Sequence, residues 1–85
     1  MRTVIDIDSA PRRRSIDALL ERYVYWREAC EALWQAYGSW NDSDRGERGR
    51  AYAGYLAALD REELAARAYA HQIERVGRMA SSLAT

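Results

Sequence analysis

The sequence predicts an all-α fold: an antiparallel two-helix hairpin of long, coiled-coil-like helices, with an extended N-terminal arm, dimerising into a four-helix bundle. Three observations predict it. Ile16, Leu19, Tyr23, Trp26, Cys30, Leu33, Tyr37 and Trp40 recur every three or four residues without a break, the spacing that lays side chains along one stripe of a helix. Tyr52, Tyr55, Leu59, Glu62, Ala66, Tyr69, Ile73, Val76, Ala80 and Leu83 repeat that spacing. Between the two runs, Gly38 to Gly46 is the one clear cluster of turn-forming residues.

Composition bounds what such a chain does. At 85 residues it holds one domain, and a domain of that size buries only about 60% of its unfolded surface, so it needs a supplement to its own core. A hydrophobic content of 48% excludes a disordered chain. Thirteen basic and thirteen acidic residues cancel, which excludes a general basic field for gripping nucleic acid. Every basic residue is Arg, a composition expected of a GC-rich bacterial or phage genome. One cysteine excludes an internal disulfide and a cysteine-based metal cluster, and Cys30, lying in the stripe, reads as a small buried hydrophobe. No apolar run approaches the roughly 18 residues of a membrane span, and no signal-peptide core is present. A cytoplasmic protein without membrane contact is expected.

Taken in order, residues 1–10 form the arm and residues 11–84 the hairpin, with helices over about 15–40 and 45–82 and a turn over about 41–45. In the arm, Ile5 and Ile7 alternate with Asp6 and Asp8, a pattern of extended chain. Ser9-Ala10-Pro11 signals a helix start, as does Ser15 with Asp17. Arg12, Arg13 and Arg14 lie between these two starts. They are a solvated basic face or a contact for an acidic partner or phosphates. In the first helix Leu20 and Trp34 widen the apolar stripe on one flank, while Ala29 and Ala36 keep the other thin. Val24 and Tyr25 fall outside it, and at least one of them is expected to meet another element or chain.

Ser43 or Asp44 caps the second helix. Gly46, Gly49 and Gly54 weaken its first turns and are read as allowing close approach to Trp34, Tyr37 or Trp40. The alanines of the second helix suit the bulky first one, because facing layers interdigitate large against small. Asp60 with Glu63 matches a capping box between Leu59 and Leu64, but the stripe continues in phase, so one continuous helix is expected.

Folding about Asn41–Asp44 sets residue i opposite about 87 minus i, with Ile16 beside His71. The second helix then overhangs by about a dozen residues, roughly 18 Å, and that overhang is apolar. An uncovered overhang and a surplus of aromatic residues together predict self-association. The expected partner or oligomer interface is Tyr25, Trp26, Trp34, Tyr69, Ile73, Val76 and Met79.

Catalytic chemistry fails on inventory. A di-iron bundle needs Glu-x-x-His on its helices, and Ala68 stands three residues before His71, the single histidine. One histidine with no Ser or Cys placed beside it makes no triad, and no phosphate-cradling or dinucleotide motif is present. No catalytic residue, cofactor or metal is expected, and His71 reads as a surface residue. Glu62 and Glu63 on or beside the seam require partners, for which Arg22 or Arg27 stand at the right height.

The expected function is a non-catalytic protein–protein interaction module, a small helical-hairpin adaptor or accessory protein of bacterial or phage origin, acting as a homodimer on a partner protein. The alternative is a DNA-binding regulator using the N-terminal strand and Arg12–Arg14. Met-Arg-Thr-Val-Ile-Asp-Ile-Asp resembles the opening strand of ribbon-helix-helix antitoxins, which implies paired strands of a dimer in the major groove. Beyond residue 8 the chain departs from that pattern: an unbroken helix follows where a short helix, a turn and a second helix belong.

Overall fold

The structure, a computed structural model, describes the backbone of residues 2–84 and the side chains of residues 11–82. Two helices make it up, α1 (Arg2–Asp42) and α2 (Arg48–Ala84). They pack antiparallel into a rod of 67 × 23 × 12 Å. The radius of gyration is 19.3 Å, against about 12 Å for a compact globule of this length.

The reversal is built from two side chains with divided duties. Ser43 finishes α1: its Oγ donates to the Trp40 carbonyl at 2.7 Å and its N–H donates to the same oxygen at 3.3 Å. Asp44 opens α2, accepting the Glu47 N–H on its Oδ1 at 3.0 Å. Both ends thus satisfy backbone groups that a helix terminus leaves without partners. No described residue adopts a left-handed backbone, so the turn makes no use of glycine's freedom at Gly46.

The glycines do not bring the helices together either. A Cβ built on Gly38, Gly49 or Gly54 meets no atom within 4 Å, and one on Gly46 meets only Asp44. The expected close approach to Trp34, Tyr37 or Trp40 is absent. In an open helix interior glycine costs only backbone entropy. Gly38→Ala and Gly54→Ala are each expected to raise stability by about 0.5–1 kcal/mol, read as a higher urea midpoint with an unchanged slope.

Three further expectations change. First, α1 begins at Arg2, not near residue 15, so the backbone of 2–10, expected as an extended arm, continues the helix. Side-chain contacts of that arm lie outside the described residues. Thr3, Val4 and Ile5 each oppose helix by only a few tenths of a kcal/mol, less than propagation from a formed helix returns. Pro11 therefore lies inside α1, where it removes one backbone donor. Second, Ile16 shares a groove with Arg12, Val76, Met79 and Ala80, while the bond from Gln72 to Ser15 keeps the expected pairing of residue i with about 87 minus i. α1 itself covers that part of α2, and the predicted bare overhang disappears there. α2 runs through Asp60 without interruption, as the in-phase stripe indicates.

Third, the line of contact is turned on both helices. On α1 the contact line runs through Ser15, Leu19, Trp26, Ala29, Leu33, Ala36 and Trp40, and on α2 through Ala51, Tyr55, Ala58, Glu62, Ala65, Tyr69, Gln72, Val76 and Met79, with Ala18, Cys30, Ala32, Leu59 and Ala66 half-buried beside it. Successive residues of each line are three or four apart, save for the seven-residue step from Leu19 to Trp26. Each takes over the alanines assigned to the flank, and Tyr23, Tyr37, Tyr52 and Ile73 become exposed. Ala29 at 0% and Ala65 at 2% exposure are the buried apolar residues among those described. The cause is size: an alanine in the seam lets two backbones approach, and bulky neighbours then pack over the junction rather than inside it.

Candidate functional site

The polar groups of the seam hold the hairpin in one register. The Trp26 indole N–H donates to Glu62 Oε2 at 2.9 Å. The carboxylate expected to pair with Arg22 or Arg27 is thus engaged by an indole, a donor that brings no second charge to desolvate. Gln72, 3% exposed, donates through Nε2 to the Ser15 carbonyl at 2.9 Å. No buried side-chain polar atom among the described residues lacks a partner. The stripe read from the sequence misses Gln72 because it steps from Tyr69 to the apolar Ile73. The signal was available, since Gln72 falls three residues after Tyr69 and four before Val76.

Aromatic contacts fill in around these bonds. Trp26 stacks on Tyr69 with centroids 5.6 Å apart, and Tyr23 tilts against the same ring at 5.5 Å. Near the turn, Trp40 stacks on Tyr55 at 5.2 Å and lies 5.0 Å from Tyr52. Pairs at such distances and tilts each add about 0.5–1.5 kcal/mol beyond area burial.

The two broad faces of the rod differ in chemistry. On one, Arg61 lies over the Tyr25 ring at 5.3 Å, and Glu21 and Arg22 border a groove with Ala65 and Ala68. That face is charged. The other presents Ile16, Tyr23, Cys30 and Tyr37 next to the seam of α1, with Leu20 and Trp34 about 100° round the helix from Leu19 and Leu33. Across from them α2 presents Tyr52, Leu59, Ala66 and Ile73, with Leu56 and Ala70 outside. Trp34 is 73% exposed and Leu20 58%. Trp34 also borders a groove with Leu33, Tyr37 and Tyr55.

The accessible surface of the chain is 6852 Å², against about 5,200 Å² for a compact monomer of this mass. The excess of roughly 1,700 Å² is about twice what one partner buries in an interface of standard size. That excess belongs to the elongated shape, but Ile16, Leu20, Trp34, Tyr37, Tyr52 and Ile73 are each more than 40% exposed, and large apolar side chains gathered on one face mark an interaction site. That face is the candidate functional site.

The seven expected interface residues divide three ways. Trp34 and Ile73 lie on the apolar face. Trp26, Tyr69, Val76 and Met79 are half-buried in or at the seam. Tyr25 lies on the charged face beneath Arg61. Arg12, Arg13 and Arg14 are exposed near the open end of the hairpin, Arg12 beside Ile16 and Val76. His71 is exposed and Cys30 half-buried. Among the described residues no group of three His, Cys, Asp or Glu could hold a metal ion, and no helix is long and apolar enough to cross a membrane. The strand that the DNA-binding alternative requires is helical from Arg2. Comparison with protein-family models, curated proteins and solved structures finds no match for the chain.

Proposed function

We propose that this chain is a non-catalytic protein–protein interaction module, a small helical-hairpin accessory protein whose working unit is a symmetric dimer closed as a four-helix bundle. The observation that carries the reading is the largely apolar face that both helices present beside the seam, with Ile16, Leu20, Tyr23, Trp34 and Tyr37 on α1 and Tyr52, Leu56 and Ile73 on α2 all exposed. A pair of helices whose buried apolar residues, among those described, are two alanines has little to offset the entropy of ordering more than 80 residues. Covering that face supplies the missing core, and an identical face is a fitting cover, being equal in length and equally apolar. The charged face, with Tyr25 and Arg61, is left outward.

Solution mass tests this directly. Sedimentation equilibrium at micromolar concentration is expected to give about twice the chain mass of 9.8 kDa, with a melting temperature that rises with concentration as dimerisation requires. A folded, cooperatively melting species of single-chain mass, with no concentration dependence, would overturn the proposal.

A further inference from the structure

The apolar face is interrupted at two points. Arg27 stands between Leu20 and Trp34 in the outer row of α1, and Glu63 between Leu56 and Ala70 in the outer row of α2. Each directly follows a residue of the Trp26–Glu62 hydrogen bond. The helices run in opposite directions, so the two one-residue steps add to about 3 Å along the axis, and the two charges stand within one helical turn of each other on opposite edges of one face. Both are exposed in the single hairpin. Closing a second copy over the face would desolvate them, which is unfavourable unless each finds an opposite charge.

Resting on the self-association proposed above, we infer that the second copy packs with its two-fold axis parallel to the helices, so that Arg27 of each protomer pairs with the partner's Glu63. Rotation about such an axis sets α1 of one protomer over α2 of the other and leaves every residue at its own height. The register is then inherited from the hairpin. Arg27 meets Glu63, and by the same offset Trp34 meets Leu56 and Leu20 meets Ala70, large against small. A two-fold axis crossing the helices instead stacks α1 on α1 and α2 on α2. The inner and outer rows of α1 between Ile16 and Tyr37 hold no acidic residue, and those of α2 between Tyr52 and Ala80 hold no basic one. In that arrangement Arg27 finds opposite charge only on the solvated rim, at Asp17 and Glu31, and Glu63 only at Arg67.

The parallel axis does bring Asp17 and Glu31 level with Glu74 and Asp60. These lie at the outer edge, where water and salt screen them and side chains turn away. The central pair therefore decides the orientation.

Charge reversal provides the test. Arg27→Glu and Glu63→Arg, measured separately by sedimentation equilibrium with helicity checked by circular dichroism, are each expected to raise the dimer dissociation constant about ten- to hundredfold, since each creates two like-charge contacts. An equimolar mixture of the two is expected to return to within about threefold of the unmodified protein, because the heterodimer restores both attractive pairs. Recovery on mixing also excludes a pair formed within one chain. Single variants that dimerise unchanged, or a mixture that fails to recover, would overturn the orientation while leaving the dimer standing. An unmodified chain that is monomeric would overturn the underlying reading as well.

Discussion

Trp26→Ala is expected to lower the unfolding free energy by about 3–5 kcal/mol. Three losses combine. The indole stacks on Tyr69 at 5.6 Å and lies 6.2 Å from Tyr23, so its removal opens a gap at the middle of the seam. It also leaves the half-buried Glu62 carboxylate without its 2.9 Å donor. Stranding a polar group in this way costs more than the bond itself contributes. A domain of this length has a total stability of only about 4–13 kcal/mol, so the variant is expected to be largely unfolded at room temperature.

Two milder changes divide the effect. Trp26→Phe keeps the ring and removes the donor, for an expected loss of about 1.5–3 kcal/mol. Glu62→Gln keeps an acceptor oxygen and should lose less than about 1 kcal/mol. Equal losses for Trp26→Ala and Trp26→Phe in urea unfolding would show that the hydrogen bond, and not the ring, carries the site.

Trp34→Ala is expected to act on assembly. In the single hairpin Trp34 is 73% exposed and touches Tyr37 edge-on at 6.3 Å, so its truncation would cost a lone chain little. Buried against Leu56 of a second copy, a tryptophan anchor is worth about 2–4 kcal/mol, or roughly a 30- to 1000-fold weaker dimer. The two tryptophan variants therefore separate by their dependence on concentration. Raising protein concentration should restore the melting temperature of Trp34→Ala and do much less for Trp26→Ala. A Trp34 variant that dimerises normally would place the contact elsewhere.

Much of this architecture was legible in the residues. The two periodic runs, the reversal around Ser43 and Asp44 and the passage of α2 through Asp60 follow from spacing and capping chemistry, which are local. The rotation of the seam was not legible. A stripe chosen by bulk favours Ile16, Tyr23 and Tyr37 over Ser15, Ala29 and Ala36, yet close approach of the backbones is decided by the smallest side chains. When one helix has apolar residues both toward its mate and on an adjacent face, periodicity alone does not say which stripe is which. Gln72 illustrates the same difficulty from the polar side: its burial depends on reaching the Ser15 carbonyl, a feature of the partner helix. The start of α1 was misread because Ser9 and Pro11 are local start signals and the β-branched residues before them favour extended chain, and these are outweighed by continuation of an already formed helix. As for the site, Trp34 and Ile73, expected at an interface, are exposed in the hairpin, but the face that unites them with Leu20, Tyr37 and Leu56 emerges only once both helices are in register.

The antiparallel course of the rod has a mechanical consequence. Arg2 and Ala84 leave from the same end, with the connecting turn at the far end of its 67 Å length. Tension applied between them would load the contacts one rung after another, as in peeling, instead of all together. The Gln72–Ser15 bond would be met early, then the Trp26–Glu62 pair, and last the rings of Trp40, Tyr52 and Tyr55 beside the turn. Tension between the turn and either end would run along one helix and load its own backbone hydrogen bonds, leaving the seam between the helices unloaded.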